Sequence, residues 1–179
     1  MQQNAAEITT LIEGCKKRER KAQELLYRNL YSFAMCIAMR YARDEADAAD
    51  IMSHAFVKIF KYINTYDSTK GVLHAWVKKI IVHEGLDYLK NRSKIEEVEI
   101  EEAEQPLVTN LAIENVSAKE IMLLLKQLPP ATHAVFVLYA VDGYTHREIA
   151  DRLHISEGTS KWHLSEARKQ LQKKLSVII

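Results

Sequence analysis

Between residues 24 and 41 apolar side chains return every three or four positions, at Leu26, Leu30, Phe33, Ile37 and Tyr41, which is the period of an amphipathic helix. Arg43-Asp44 closes it, and a second helix is expected from about Glu45 to Tyr62, with Ala48, Met52, Ala55 and Ile59 on one face and Ile51, Phe56 and Phe60 widening it. The pattern is lost from Thr65 to His74, where Asp67-Ser-Thr-Lys-Gly71 reads as a turn-rich loop. A third helix follows from about Ala75 to Asn91. Trp76, Val77, Ile80, Ile81, Leu86 and Leu89 form its apolar side, and Lys78, Lys79, Lys90 and Arg92 its basic side. Residues 93–113 have no sustained period and read as a linker. Ser117 with Glu120 forms a capping box for a further helix, which turns Ile121, Leu124, Leu125 and Leu128 inward and stops at Leu128-Pro129-Pro130. Another runs from Ala131 to Val141 and is ended by Asp142-Gly143.

The last part of the chain carries the most specific pattern. Thr145 and Glu148 make a second capping box, and Ile149, Ala150 and Leu153 give the helix behind it an apolar face. At the turn that follows, His154 must enter the left-handed region that glycine usually fills, which histidine tolerates better than most residues. Ser156 is a good N-cap for the next helix, whose inward positions are Leu164, Ala167 and Leu171. Its outward positions are Lys161, Trp162, Ser165, Glu166 and Lys169. Two short capped helices joined by a tight turn, the second more exposed, are what a chain needs to lay one helix in the DNA major groove. Capped helical hairpins also serve as plain packing units, so this segment by itself leaves both readings open.

Composition narrows the class. Five glycines and three prolines in 179 residues, with abundant Ala, Leu, Ile, Lys and Glu, favour an all-α protein. The expected architecture is two small helical domains, 1–92 and 114–179, joined by a flexible acidic linker, 93–113. No apolar run approaches the ~20 residues needed to cross a bilayer, and Met1-Gln-Gln-Asn begins no signal-peptide pattern, so no membrane insertion and a cytoplasmic location are expected. Cys15 and Cys36 are too few and too far apart for a disulfide framework or a zinc cluster. The net charge of +1 hides a partition: the two domains are basic, +4 and +2, and the linker is −5, with six glutamates. A basic, acidic, basic layout is compatible with nucleic acid as a partner, where a uniformly neutral chain would not be.

Two separated motifs resemble one family. The run Asp47-Ala-Ala-Asp-Ile-Met-Ser-His-Ala-Phe-Val-Lys-Ile-Phe60, followed by Trp76-Val-Lys-Lys-Ile-Ile-Val-His83 and Leu86-Asp-Tyr-Leu-Lys90, resembles region two of bacterial RNA polymerase sigma factors. Leu128-Pro-Pro, Val135-Phe-Val-Leu-Tyr, Gly143-Tyr-Thr-His-Arg-Glu-Ile-Ala and Ile155-Ser-Glu-Gly-Thr-Ser-Lys resemble region four. Their order and spacing, with no further region between them, are similar to the extracytoplasmic-function group of the sigma-70 family, and the resemblance covers nearly the whole chain.

The resemblance implies that the helix beginning near Glu45 docks on core RNA polymerase through Asp47, Asp50, Ile51, His54, Val57 and Lys58. It implies that Tyr66, Leu73 and His74, with Trp76, Lys78, Lys79 and His83 on the third helix, hold the melted minus-ten element, where a flipped base must be stabilised by stacking and edge hydrogen bonds. His83 stands where the family usually has asparagine, and both side chains can bond a base edge. Arg147, Thr159, Ser160, Lys161, Trp162, Ser165, Glu166 and Arg168 would serve the minus-thirty-five element, and Ser160 replaces the family's usual valine. The acidic linker would mimic RNA inside the polymerase, and an anti-sigma factor is the expected regulatory partner.

The residues also bear on other classes. A stand-alone helix-turn-helix regulator would use the same C-terminal motif without joining polymerase. An enzyme is disfavoured: the best metal-binding run, His83-Glu84-Gly-Leu-Asp87, lacks the histidine a zinc protease needs at Asp87, and His146, His154 and His163 are not at ligand spacing. No phosphate-binding glycine loop or nucleophile constellation is present, so neither metal nor cofactor is expected.

Overall fold

The computed structural model describes the backbone over residues 5–96 and 118–176, and side chains over 7–92 and 121–175. Among these residues every regular element is helical. The chain divides into two compact units, Met1–Tyr88 and Leu89–Ile179.

The N-terminal unit is built from α1 (Ala5–Lys16), α2 (Arg20–Ala38), α3 (Glu45–Tyr62) and α4 (Leu73–Glu96), with a single 3-10 turn at Ile63–Thr65. The sequence pattern does not foresee α1, whose Ile12 and Cys15 are buried and which packs on α2. Asp44 caps α3, its side chain accepting from the Asp47 N–H at 2.9 Å, and Glu45 and Asp47 complement the positive end of the helix dipole. Leu26, Leu30 and Ile37 of α2, Ile51 and Ile59 of α3 and Ile81 of α4 are core residues, none more than 2% exposed. Each such aliphatic side chain contributes on the order of 2 kcal/mol by leaving water.

Tyr41 lies past the end of α2, three residues beyond Ala38, yet it is fully buried. Its ring explains a glycine in the middle of α4. A Cβ on Gly85 would come within 2.6 Å of Tyr41 Cγ, so α4 reaches the ring only because that atom is missing. Mid-helix glycine costs about 1 kcal/mol in propensity, and the close approach offsets it. Helix α4 also runs on to Glu96, so the first positions of the expected linker are helical; the rest of that linker, and Ser117 of the first capping box, lie outside the described residues.

The C-terminal unit contains α5 (Ala118–Lys126), α6 (Pro130–Phe136), a π-turn at Val137–Val141, α7 (His146–Leu153) and α8 (Glu157–Ser176). Leu125, Leu128 and Ala167 are its centre, with Met122, Phe136 and Leu171 packed around them. Ile121, expected to face inward, is 43% exposed, and Met122 takes the inner flank of α5 instead. The Pro129-Pro130 pair both ends α5 and starts α6, since Pro130 sits in the first turn, where its missing N–H has no cost. Helix α6 then widens: the Asp142 N–H reaches back to Val137 O at 2.9 Å, and Gly143, at φ 78°, releases the chain toward α7.

Candidate nucleic-acid interface

On α3 the exposed stripe consists of Asp50, His54, Val57 and Lys61, one helical turn apart from one another, with Val57 66% exposed. Three residues expected beside them are placed otherwise. Ile51 is 2% exposed and belongs to the core. Asp47 turns toward α4, where its Oδ2 accepts from the Tyr88 hydroxyl at 2.5 Å and from Arg43 Nε at 3.0 Å. Burial alone would push the Asp47 carboxyl up, but the Tyr88 and Arg43 donors outweigh it and hold the group below the usual carboxylate value. Lys58 also points at α4, with Nζ 2.5 Å from Oε1 of Glu84, a carboxylate only 8% exposed. Asp47 and Lys58 are therefore the polar stitching of the α3–α4 seam. Lys61, absent from the sequence-based set, takes Lys58's place on the stripe; helical spacing from Asp50, His54 and Val57 was the signal for it.

The loop before α4 is shaped by its own hydrogen bonds. The Thr69 N–H and hydroxyl both donate to Asp67 Oδ1, at 2.9 and 2.7 Å, and these two bonds hold the Asp67 carboxyl below its usual value. Across the loop the Tyr66 hydroxyl donates to Gly71 O at 3.1 Å, and the Tyr66 ring lies 5.7 Å from that of Trp76. The half-buried Trp76 thus has an aromatic neighbour and a partly open side. His74 sits edge-on against Phe33 at 4.8 Å, and Lys79 is exposed. Leu73, expected to meet DNA, is only 5% exposed and anchors the start of α4 in the core.

His83, Glu84 and Asp87 bring possible ligand atoms within 4.8 Å of one another. The Lys58 ammonium occupies the charge position a cation would need, and His83 Nε2 is 3.5 Å from Asp87 Oδ2. The cluster is an ion-pair group on α4.

In the C-terminal unit the helix-turn-helix has the local chemistry its sequence requires. The Thr145 hydroxyl accepts from the Glu148 N–H at 3.3 Å while Glu148 Oε2 accepts from the Thr145 N–H at 2.9 Å. His154 adopts φ 55° and ψ 44°, the left-handed turn. Ser156 caps α8, its Oγ accepting from the Thr159 N–H at 2.9 Å and lying 2.8 Å from the Thr159 hydroxyl.

Of the residues expected to meet DNA, Arg147, Lys161, Trp162, Ser165 and Arg168 are exposed, and Trp162 is 59% so, with His163 edge-on at 4.9 Å. Thr159 and Glu166 are half-buried, Glu166 accepting from Gln170 Nε2 at 2.8 Å. Ser160 is a correction. It is fully buried, and its hydroxyl lies 2.9 Å from His146 Nδ1, so it cannot face a base edge. Beside it a groove of about 420 Å³ is lined by Tyr139, His146, Lys161, Ser165, Arg168 and Lys169. Neither Lys161, Arg168 nor Lys169 is ion-paired among the described residues. Sequence pattern did not point to Tyr139 or His146 here; their rings stack at 4.6 Å and 23°.

Two helical units, the second ending in a helix-turn-helix whose Lys161, Arg168 and Lys169 have no ion-pair partner among the described residues, point to a class of DNA-binding transcription protein, and comparison with known proteins specifies it. Residues 26–95 match the family model for Sigma-70 region 2, and residues 118–171 that for Sigma-70 region 4. The chain belongs to the sigma-70 family and is an extracytoplasmic-function (ECF) sigma factor. It is 25% identical over 142 residues to the ECF RNA polymerase sigma factor SigE of Mycolicibacterium smegmatis, an alignment that takes in 76% of this chain and spans about half, 54%, of that relative. It is 23% identical over 183 residues to the ECF RNA polymerase sigma-E factor of Escherichia coli K12, covering 94% of each. In fold it is similar to the sigma factor RpoE of Bartonella quintana, solved with the anti-sigma factor NepR, at 17% identity and TM-score 0.57 over 86% of this chain and 96% of that one. It is likewise similar to CnrH, solved with the cytosolic domain of CnrY, at 19% identity and TM-score 0.51 over 94% and 96%. No helix among the described residues is long and apolar enough to cross a membrane.

Proposed function

We propose that this chain joins core RNA polymerase in the cytoplasm, directs it to specific promoters and helps open them, with no catalysis of its own. The observation that carries this reading is the row of unpaired cations on α8, Lys161, Arg168 and Lys169, flanking an exposed Trp162 in a correctly capped helix-turn-helix. Cations without protein partners attract phosphates, which position the duplex, while Trp162, Ser165 and Glu166 are left to read base edges. On the minus-ten side Trp76, backed by Tyr66, offers a stacking face, and Lys79 a phosphate contact. The polymerase-binding surface is assigned to Asp50, His54, Val57 and Lys61. The three functional segments are residues 1–92, the acidic tether 93–113 and residues 114–179. An anti-sigma factor is the proposed regulatory partner, as in the complex of RpoE with NepR.

Transcription of genomic DNA by purified core polymerase, with and without this protein, tests the proposal. New promoter-specific start sites are expected, and Asp50→Lys should weaken core binding by tenfold or more. Absence of new starts, or tight operator binding by the protein alone in the manner of a stand-alone regulator, would overturn it.

A further inference from the structure

The geometry points to the Ser160–His146 bond as a buried clasp that aims the recognition helix, making both residues positioning residues for minus-thirty-five recognition; the inference rests on the promoter-binding role proposed above. Helix α8 packs on α5, α6 and α7, and the buried side chains of these elements, Ile149 and Ala150 of α7 and Leu164 and Ala167 of α8 among them, are mostly apolar. Hydrophobic contact is non-directional, so by itself it fixes only loosely how α8 is turned about its own axis. A buried hydroxyl is different. Ser160 is fully buried on the inner face of α8, where an unbonded hydroxyl is costly, and it lies 2.9 Å from Nδ1 of His146 at the first turn of α7. His146 is held in turn by the ring of Tyr139, stacked on it at 4.6 Å from the π-turn. Three elements therefore converge on one polar bond.

Position along α8 gives the bond its leverage. Lys161 and Trp162 follow Ser160 directly, and Lys169 lies about 13 Å further along the axis at ~1.5 Å per residue. A tilt of ~10° about Ser160 would move Lys169 by about 2 Å, more than a hydrogen bond to a base or phosphate tolerates. The clasp touches no phosphate, so its loss should disturb aim and leave the number of charge contacts unchanged.

The test uses holoenzyme and a duplex promoter fragment recovered from the genomic transcription above. Ser160→Ala and His146→Phe, the second keeping a ring against Tyr139, should each weaken binding roughly 3- to 10-fold, the span of one net hydrogen bond, and narrow discrimination against base-substituted minus-thirty-five elements. His146→Asn, which keeps an amide near the Nδ1 position, should retain most of the affinity. The Ser160→Ala/His146→Phe double variant should lose no more than either single one. The slope of log affinity against log salt should stay as in the wild type, whereas Lys169→Ala should reduce it by about one phosphate contact. Circular dichroism at the assay temperature checks that each variant is folded. Wild-type discrimination in folded Ser160→Ala and His146→Phe, additive losses, or a reduced salt slope in Ser160→Ala would overturn the clasp. Failure of the wild-type holoenzyme to bind any promoter would instead sink the underlying functional reading.

Discussion

At the α3–α4 seam of the N-terminal unit two cations are tied to carboxylates, Arg43 to Asp47 and Lys58 to Glu84, whereas along α8 Lys161, Arg168 and Lys169 line a groove without such partners among the described residues. The two arrangements cost and contribute differently. A paired lysine stiffens the seam between two helices and presents little net charge outward. An unpaired one adds almost nothing to stability, since exposed ion pairs are themselves worth only about 0–1 kcal/mol, but it keeps its full attraction for an anion. The polar side chains of the α3–α4 seam thus serve packing, whereas the cations of α8 are spread over a surface, with the Ser160–His146 and Thr132–His163 bonds in the interior of the second unit. Substitutions in the seam should therefore show in stability, and those in the groove in DNA binding.

The largest effect expected in the first unit comes from Gly85→Ala. The added methyl would sit 2.6 Å from Tyr41 Cγ and 2.7 Å from Cδ2, a collision with a fully buried ring that cannot swing aside. Overpacking of this kind costs about 3 kcal/mol or more. Hydrogen exchange followed by mass spectrometry should show protection lost over residues 24–88 and kept over 118–171. Equal loss in both stretches would mean that the division into two units does not describe their stability.

Next in size is Lys58→Ala, which strands the Glu84 carboxylate. Breaking a fully buried pair costs about 3–5 kcal/mol; here the Lys58 side chain is 40% exposed and water screens it, so about 1–3 kcal/mol is expected. Replacing both partners, as Lys58→Met with Glu84→Leu, should restore most of the loss in urea unfolding. The pair also has a pH signature. Its hydrogen bond to Glu84 raises the Lys58 pKa above the usual 10.5, so its stabilising contribution is complete at neutral pH and is lost as pH rises beyond that value. Lys58→Met/Glu84→Leu should accordingly unfold with a flatter stability profile above pH 10. An unchanged profile would place the pair outside the energetics of the seam.

These substitutions also mark where the sequence was legible. Capping boxes and turn chemistry are local, so Thr145 with Glu148, the Ser156 cap and the left-handed His154 could be read from a few adjacent residues. Period identified α3 and the outward face of α8. Period also puts Ile51 on the apolar face of α3; the surface roles of Ile51, Leu73 and Ser160 come from the family resemblance, which carries a position over without its burial, and all three lie buried. Asp47 and Lys58 illustrate a second limit: their partners, Tyr88 and Glu84, are 41 and 26 residues away, and only the crossing of α3 with α4 brings them together. The Tyr41–Gly85 approach is of the same kind. Helix α1 was missed because twelve residues give a period little room to establish itself, and its burial comes from contact with α2.

The smallest effect should arise at the turn of the helix-turn-helix. His154, at φ 55° and ψ 44°, occupies a region that costs a residue with a Cβ about 1 kcal/mol, and glycine would enter it without strain. Glycine also frees the unfolded chain, which removes a comparable amount, so His154→Gly should raise stability by no more than ~0.5 kcal/mol. His154→Ala keeps the strain and loses the polar side chain that eases it, so it should fall below the wild type by a similar margin. Neither change reaches Ser160 or His146, and both should leave promoter discrimination where it was. If His154→Gly instead weakened discrimination as much as Ser160→Ala, stiffness of the turn and not the interior clasp would be what aims α8.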